Sequence, residues 1–373
     1  MVYTPTRGDL GGDAREVLDS WLPPRIAPDG TDFEISDLSA PDAGYSGKTV
    51  FLTATWTDPA GNRRRADLVL RMQASDHQLF TTPDAPRQAE IMKRLGRTAR
   101  VAVPEIVCIE RDSSILGAPF YLMRRVRGRT PSDVPSWHKR GWTTELSTPE
   151  RELLYDNAIE SLVAVHQVDD PDVLDFLREA SATGSTGLAR YLDNLRRWYE
   201  WARPDLAVGA ETLARAFDAI MTGAPTTDRE GVVWGDARVG NMCFADDMSV
   251  AALFDWETAT TGPPEIDLGW WLMFEEFLCE ALGFIRPAGI LDSEATLRRY
   301  VELGGRVDGD IGYYKLLAAF VLSLINNRLA ILLARDGLDM EIARRYPTTV
   351  VGLVDRYLTE LSTGEPDDQQ RTA

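Results

Sequence analysis

The sequence is short of cysteine, histidine and positive charge, and each shortage excludes a class of function. Its three cysteines, Cys108, Cys243 and Cys279, are far apart and odd in number. They supply neither a disulfide framework nor a CxxC metal pair, and a reducing, cytoplasmic setting is expected. Three histidines, His77, His138 and His166, without HExxH or paired-His spacing, argue against a zinc site. The net charge of −18, with no Lys/Arg cluster interleaved with aromatics, removes the basic face that a nucleic-acid binder needs to displace counterions. Long hydrophobic runs are also missing. The longest, at 316–325, has ten residues, the length of a buried core helix rather than a bilayer span. The N-terminus has no basic segment followed by an apolar stretch of signal-peptide length. Neither nucleic acid nor membrane is expected as a partner.

What is present is ordinary for a globular chain: 44% hydrophobic and 26% charged residues over 373 positions. That length exceeds one compact core, so two lobes are expected. The informative stretch is Val232-Val233-Trp234-Gly235-Asp236-Ala237-Arg238-Val239-Gly240-Asn241, followed by Phe254-Asp255-Trp256-Glu257. An apolar pair enters a Gly-Asp turn, a loop carries Asp236 and Asn241 five positions apart, and Met242-Cys243-Phe244 and Val250-Ala251-Ala252-Leu253-Phe254 read as two short strands. Three polar residues are thereby presented at the ends of a hairpin. Asp and Asn are also common turn residues. The Asp-x-x-x-x-Asn spacing with a second Asp on the next strand, however, is what phosphoryl transfer asks for. One carboxylate orients and deprotonates a hydroxyl, while an amide oxygen and a second carboxylate hold magnesium on ATP.

Trp-Gly-Asp-Ala-Arg-Val-Gly-Asn, with Phe-Asp-Trp-Glu-Thr-Ala-Thr-Thr-Gly-Pro-Pro-Glu-Ile-Asp-Leu after it, resembles the signature of the aminoglycoside phosphotransferase family. The likeness is strongest to the branch that includes kinase-like domains attached to acyl-CoA dehydrogenases and uncharacterised actinobacterial phosphotransferases. The family commonly has His where this chain has Trp234. The likeness covers about residues 35–272. It implies an α+β, two-lobed protein-kinase-like fold. A small N-terminal lobe, about 1–127, would hold an antiparallel sheet and a helix. A hinge would lie near 123–128, and a larger, mostly helical lobe would follow at about 128–362, with a cleft that closes over nucleotide. The tail at 363–373 reads as disordered. A monomer or homodimer is expected.

The same resemblance assigns roles. Asp236 is the expected base and Arg238 a neutraliser of the transferring phosphate, with pairing to a nearby acid as the alternative. Asn241 and Asp255 are expected to hold Mg²⁺, and Asp267 to brace the catalytic loop. Upstream, 49–56 and 66–72 read as strands joined by the turn chemistry of Asp58-Pro59-Ala60-Gly61-Asn62. The small-residue loop before them, with Ser46, Gly47 and Lys48, suits close approach of backbone to phosphate. Gly47-Lys48-Thr49 is not a P-loop, because a strand follows where that motif needs a helix. Arg71 stands on the third strand, where kinases carry a phosphate-binding Lys, and Glu90, in the helix at 87–95, is placed to be its partner. Met123, Arg124 and Val126 lie on the segment that would meet the purine, ATP being the expected nucleotide and GTP the alternative.

Thr148 opens a long helix by N-cap and first-turn chemistry, along which Leu154, Ala158, Leu162 and His166 share one face, so His166 reads as a packing residue. For the acceptor, a small hydroxylated molecule, the stretch 265–285 offers five acids and no Lys or Arg. Trp270, Trp271, Glu275 and Glu276 would receive an amine through ion pairs and cation–π contacts. A solvated acidic face is the plainer reading of the same pattern, and the aromatic content also suits a hydroxyacyl or lipid-like acceptor. A nucleotide-binding scaffold without catalysis is the alternative to the enzyme.

Overall fold

The computed structural model describes residues 14–36, 38–39, 47–74, 79, 82–179 and 183–363. The chain divides into two compact units, Met1–Arg127 and Gly128–Ala373.

The first unit is built on a five-stranded antiparallel sheet of order β1-β2-β3-β5-β4. Its strands are β1 (Thr31–Ile35), β2 (Gly47–Thr57), β3 (Arg63–Gln73), β4 (Ile106–Glu110) and β5 (Phe120–Arg124). β2 and β3 pair without a break from Gly47↔Gln73 to Thr57↔Arg63. The turn between them closes on Asp58, whose carboxylate accepts from the amides of Ala60 at 3.0 Å and Asn62 at 2.9 Å, the Asx geometry that suits Asp at a turn. Strand alternation puts Val50, Leu52 and Ala54 of β2 and Leu68, Leu70 and Met72 of β3 into one core with Leu18 and Trp21 of helix α1 (Ala14–Trp21). Burying one such side chain is worth roughly 1.5–3 kcal/mol. Helix α2 (Ala85–Thr98) is capped by Asp84, which accepts from Arg87 N, and Tyr121 of β5 donates to Gln88 of α2 at 2.8 Å.

The second unit is mostly helical. Helix α3 (Thr148–His166) is capped by Ser147, one residue before the expected Thr148, because Ser147 and Glu150 form a reciprocal capping box. Helices α4 (Gly187–Ala202) and α5 (Ala210–Thr222) follow. Four short strands, β6 (Gly231–Val233), β7 (Met242–Phe244), β8 (Val250–Leu253) and β9 (Thr260–Gly262), pair as β6 with β9 and β7 with β8. Helices α6 (Glu265–Leu278), α7 (Ile311–Arg335) and α8 (Arg345–Thr363) complete the unit. The apolar run at 316–325 is only the middle of α7, whose 25 residues are long and apolar enough to cross a membrane by length and composition. Most of that helix is buried against the rest of the second unit. The α+β class and the kinase-like order, sheet first and helices after, are those expected.

Candidate active site

The loop between β6 and β7 carries Asp236, and a single 3-10 turn at Val239–Asn241 leads into β7. Gly235 enters the loop at φ 90°, and a Cβ there would stand 2.5 Å from Thr258 Oγ1 and 2.7 Å from the Thr258 carbonyl, so only glycine fits this turn. Asn241 spends its backbone and its amide nitrogen on holding the loop in shape. Its N–H donates to Arg238 O at 3.0 Å, its carbonyl accepts from Phe254 N at 2.9 Å, and Nδ2 donates to Asp236 O at 3.0 Å. The β7–β8 register therefore ties Asn241 to the residue before Asp255. Asp255 itself adopts φ 54°, a left-handed conformation that costs a non-glycine residue energy and clusters at functional sites.

A buried carboxylate braces this loop from below. Asp267, fully buried on α6, accepts from Trp234 N through Oδ2 and from Gly235 N through Oδ1, both at 2.7 Å, as expected for that residue. His166 extends the brace: Nε2 lies 3.0 Å from Asp267 Oδ2 and Nδ1 lies 2.7 Å from the Tyr300 hydroxyl. A histidine read as packing is thus a link in a polar chain from α3 to the loop that carries Asp236. Trp234, standing where the family has His, makes its own tie, donating from Nε1 to Phe254 O at 2.8 Å and packing on Trp256 at 5.5 Å between ring centroids.

Asp236 is held at one oxygen. Oδ1 accepts from Arg238 Nε at 2.8 Å and from Trp270 Nε1 at 2.9 Å. Arg238 in turn pairs with Asp133, lies with its guanidinium 4.9 Å from the Phe274 ring centroid, and is held charged against the cost of burial by Asp133, Asp236 and Asp255. The alternative expected for Arg238, pairing with acids, is the arrangement observed. Neither Asp133 nor the donor role of Trp270 is visible in the sequence.

Among the described residues no group of three or more His, Cys, Asp or Glu side chains gathers to hold a metal ion. The residues present at the hairpin are one amide oxygen, on Asn241, and one carboxylate, on Asp255. Two hard oxygen donors suit Mg²⁺, which keeps several waters and takes substrate phosphates as its remaining ligands.

The acceptor residues expected on α6 need correction. Trp271 is 1% exposed and belongs to the core. Glu275 is buried and engaged by His138 Nε2 at 2.9 Å and the Tyr155 hydroxyl at 3.1 Å. Glu276 is buried and pairs with Lys315 at 3.1 Å, with Arg356, and with the Tyr357 hydroxyl at 2.6 Å. Neither the amine site nor the solvated acidic face describes this helix, which is buried almost all round. Of the four, Trp270 reaches the candidate site, donating from Nε1 to Asp236.

Burial pushes the Glu276 carboxyl up, but Lys315, Arg356 and Tyr357 outweigh it and hold the group below the usual carboxylate range. A carboxyl lowered on folding stabilises the native state above its unfolded pKa of about 4.3 and loses that contribution as pH falls through the lower folded value. Glu276→Gln is expected to cost about 3 kcal/mol at pH 7, through the cations it leaves buried. The loss should shrink at pH values below about 4. Urea denaturation at both pH values measures it, and an equal loss at both would rule out this origin.

In the first unit, Arg71 of β3 pairs in register with Thr49 and Tyr121 and donates to Thr49 Oγ1 at 2.8 Å. Glu90, expected as the partner of Arg71, forms its ion pair with Arg94 one turn on, at 2.7 Å. Gly47 and Lys48 open β2 opposite Gln73 and Met72, and Ser46 lies outside the described residues. Met123 is buried in β5 beside Val69 of β3. The amides of Arg124 and Arg125 donate to Glu105 O and Asp67 O, so among the residues expected to meet the purine the backbone donor left to consider is that of Val126.

The phosphotransferase enzyme family matches residues 37–300, which covers more than half of the chain. The chain belongs to the phosphotransferase enzyme family. The resemblance carried by the Asp236–Asn241–Asp255 motifs is thereby shown, and with it the enzyme class. A mouse protein, acyl-CoA dehydrogenase family member 10, is 29% identical over 221 residues, 57% of this chain and 19% of that protein. The chain thus spans about a fifth of that relative's length. Among solved structures, a putative aminoglycoside phosphotransferase from Ralstonia eutropha superposes with a TM-score of 0.69 at 21% identity, over 92% of this chain and 98% of the other. A thermostable mutant of aminoglycoside phosphotransferase APH(4)-Ia, in a ternary complex with AMP-PNP and hygromycin B, gives 0.58 at 17% identity, over 93% and 99%. Both likenesses establish the fold.

Proposed function

We propose that this family member moves the γ-phosphate of ATP to a hydroxyl of a small molecule, with Asp236 as the base and Mg²⁺ held by Asn241 and Asp255. The observation that carries the reading is the state of Asp236. One carboxylate oxygen is pinned by two N–H donors at 2.8 and 2.9 Å, which leaves Oδ2 to take a proton from a hydroxyl placed against it. The new bond forms between the acceptor oxygen and the γ-phosphorus, the bond from that phosphorus to the departing ADP breaks, and the acceptor's proton passes to Asp236 and then to water. Positioning and charge neutralisation carry most of such a reaction. Bound Mg²⁺ supplies the neutralisation on the phosphates. In the first unit we assign Arg71, Lys48 and Gly47 to nucleotide phosphates and the Val126 backbone to the base.

The acids of α6 favour an acceptor without a required amine, since Glu275 and Glu276 are satisfied within the protein. A hydroxyacyl or lipid-like acceptor is therefore the second reading, and the acyl-CoA dehydrogenase relatives support it. ADP release with MgATP and a panel of sugars, aminoglycosides and hydroxy acids tests the proposal. Stimulation by at least one acceptor is expected. Asn241→Ala should raise the Mg²⁺ concentration for half-maximal turnover, and Arg71→Ala should weaken nucleotide affinity. Tight MgATP binding with no stimulated turnover would favour the scaffold instead.

A further inference from the structure

Asp133 lies 103 positions before Asp236 in the sequence, in a polar stretch with no motif of its own, yet it is the residue that holds Arg238. The segment that carries it is fastened at both ends to elements of the candidate site. At its start Arg129 and Phe244 of β7 exchange backbone hydrogen bonds at 2.8 and 2.9 Å. At its end Ser136 Oγ donates to Leu278 O of α6 at 2.7 Å, His138 meets Glu275, and the Trp137 ring stacks on Phe274 at 6.4 Å. Phe274 is also the ring under the Arg238 guanidinium. The segment is a strap from the catalytic hairpin to α6, and Asp133 is the point at which it grips the site.

Packing around the pair is close. Asp133 Oδ1 is buried with no hydrogen-bond partner among the described residues, while Oδ2 pairs with Arg238. The Cα of Gly240 fits against the pair. A Cβ there would lie 2.4 Å from Asp133 Oδ1 and 2.6 Å from an Arg238 guanidinium nitrogen. The carboxylates of Asp133, Asp236 and Asp255 all act on this guanidinium, and Asp133 and Asp236 pair with it directly, one at a terminal nitrogen and one at Nε.

We propose that Asp133 is a positioning residue for phosphoryl transfer: by clamping Arg238 against Phe274 it fixes the guanidinium that pins Asp236 Oδ1, so that the strap at 128–139 sets the orientation of the base. The proposal deepens the phosphotransfer reading and rests on it. It also assigns Arg238 to the base rather than to the phosphate.

The test uses the full chain with MgATP and water as the acceptor, read as phosphate release, beside MgATP affinity by calorimetry and unfolding midpoints in urea. Asp133→Asn keeps the shape and removes the charge, and is expected to lower turnover roughly tenfold or more while MgATP affinity changes less than about twofold. Asp133→Glu should recover most of the loss. Gly240→Ala, which pushes the pair apart without deleting a charge, should reproduce it. Arg238→Lys keeps the charge but loses the fork, and the double variant with Asp133→Asn should be no slower than Arg238→Lys alone. Wild-type turnover in Asp133→Asn, or losses that multiply in the double variant, would overturn the proposal. If Asp133→Asn does not fold, Gly240→Ala and Asp133→Glu decide by the same readouts. If the wild type neither binds nor hydrolyses MgATP, the phosphotransfer reading fails by itself. The link between Asp133 and Arg238 is then read from the unfolding cycle, where shared losses uphold it and additive losses refute it.

Discussion

Asp236→Asn is expected to lower kcat by roughly a hundred- to ten-thousand-fold, the range for loss of a general base, with MgATP affinity nearly unchanged. Asn keeps the size of the side chain, and its carbonyl oxygen still accepts from Arg238 and Trp270 at the place where Asp236 Oδ1 does now. What disappears is the oxygen proposed to take the acceptor's proton. The loss should therefore fall on turnover rather than on binding, as it does when an interaction made only in the transition state is removed. Steady-state kinetics beside calorimetry separates the two. A variant that keeps wild-type turnover would remove Asp236 from the chemistry.

Asp267→Ala is expected to destabilise the second unit by at least about 3 kcal/mol, and to lower turnover of the protein that remains folded. The substitution strands three donors at once, the buried amide of Trp234, the half-buried amide of Gly235 and the buried imidazole of His166, and a buried group costs about 1–3 kcal/mol without a partner. The same two amides set the path of the backbone into Asp236, so the loop should lose its geometry before the unit unfolds. Thermal or urea unfolding checks the first effect, and hydrogen exchange at Trp234 and Gly235 checks the second. A loss below about 1 kcal/mol, the net worth of a single ordinary hydrogen bond, would show that the brace is not shared in this way.

How legible the site was in the sequence depended on distance along the chain. Asp236 and Asn241 lie just before β7 and Asp255 just after β8, so their spacing along the chain reports how one short hairpin places them. The first-unit strands were legible for the same local reason, since alternation in β2 and β3 follows from a single buried face. Asp133 was not legible, because nothing near it in the sequence signals a partner 105 residues away. The acids of α6 were misread by the same failing. Glu276 looks like an open charge until Lys315 and Arg356 arrive on α7 and α8, and Glu275 until His138 and Tyr155 do. The shift of the α3 cap from Thr148 to Ser147 is smaller and local: two adjacent residues can both cap, and Glu150 three residues on from Ser147 decides it.

By the proposed function, this chain passes a phosphoryl group from nucleotide to a hydroxyl. A ³¹P NMR time course of the wild-type protein with MgATP and pooled hydroxylated acceptors reads that event directly. A phosphomonoester resonance that grows in step with ADP and is absent with Asp236→Asn is the expected result. Saturating MgATP binding with the γ-phosphate signal intact, or released only as inorganic phosphate in every pool, would contradict it.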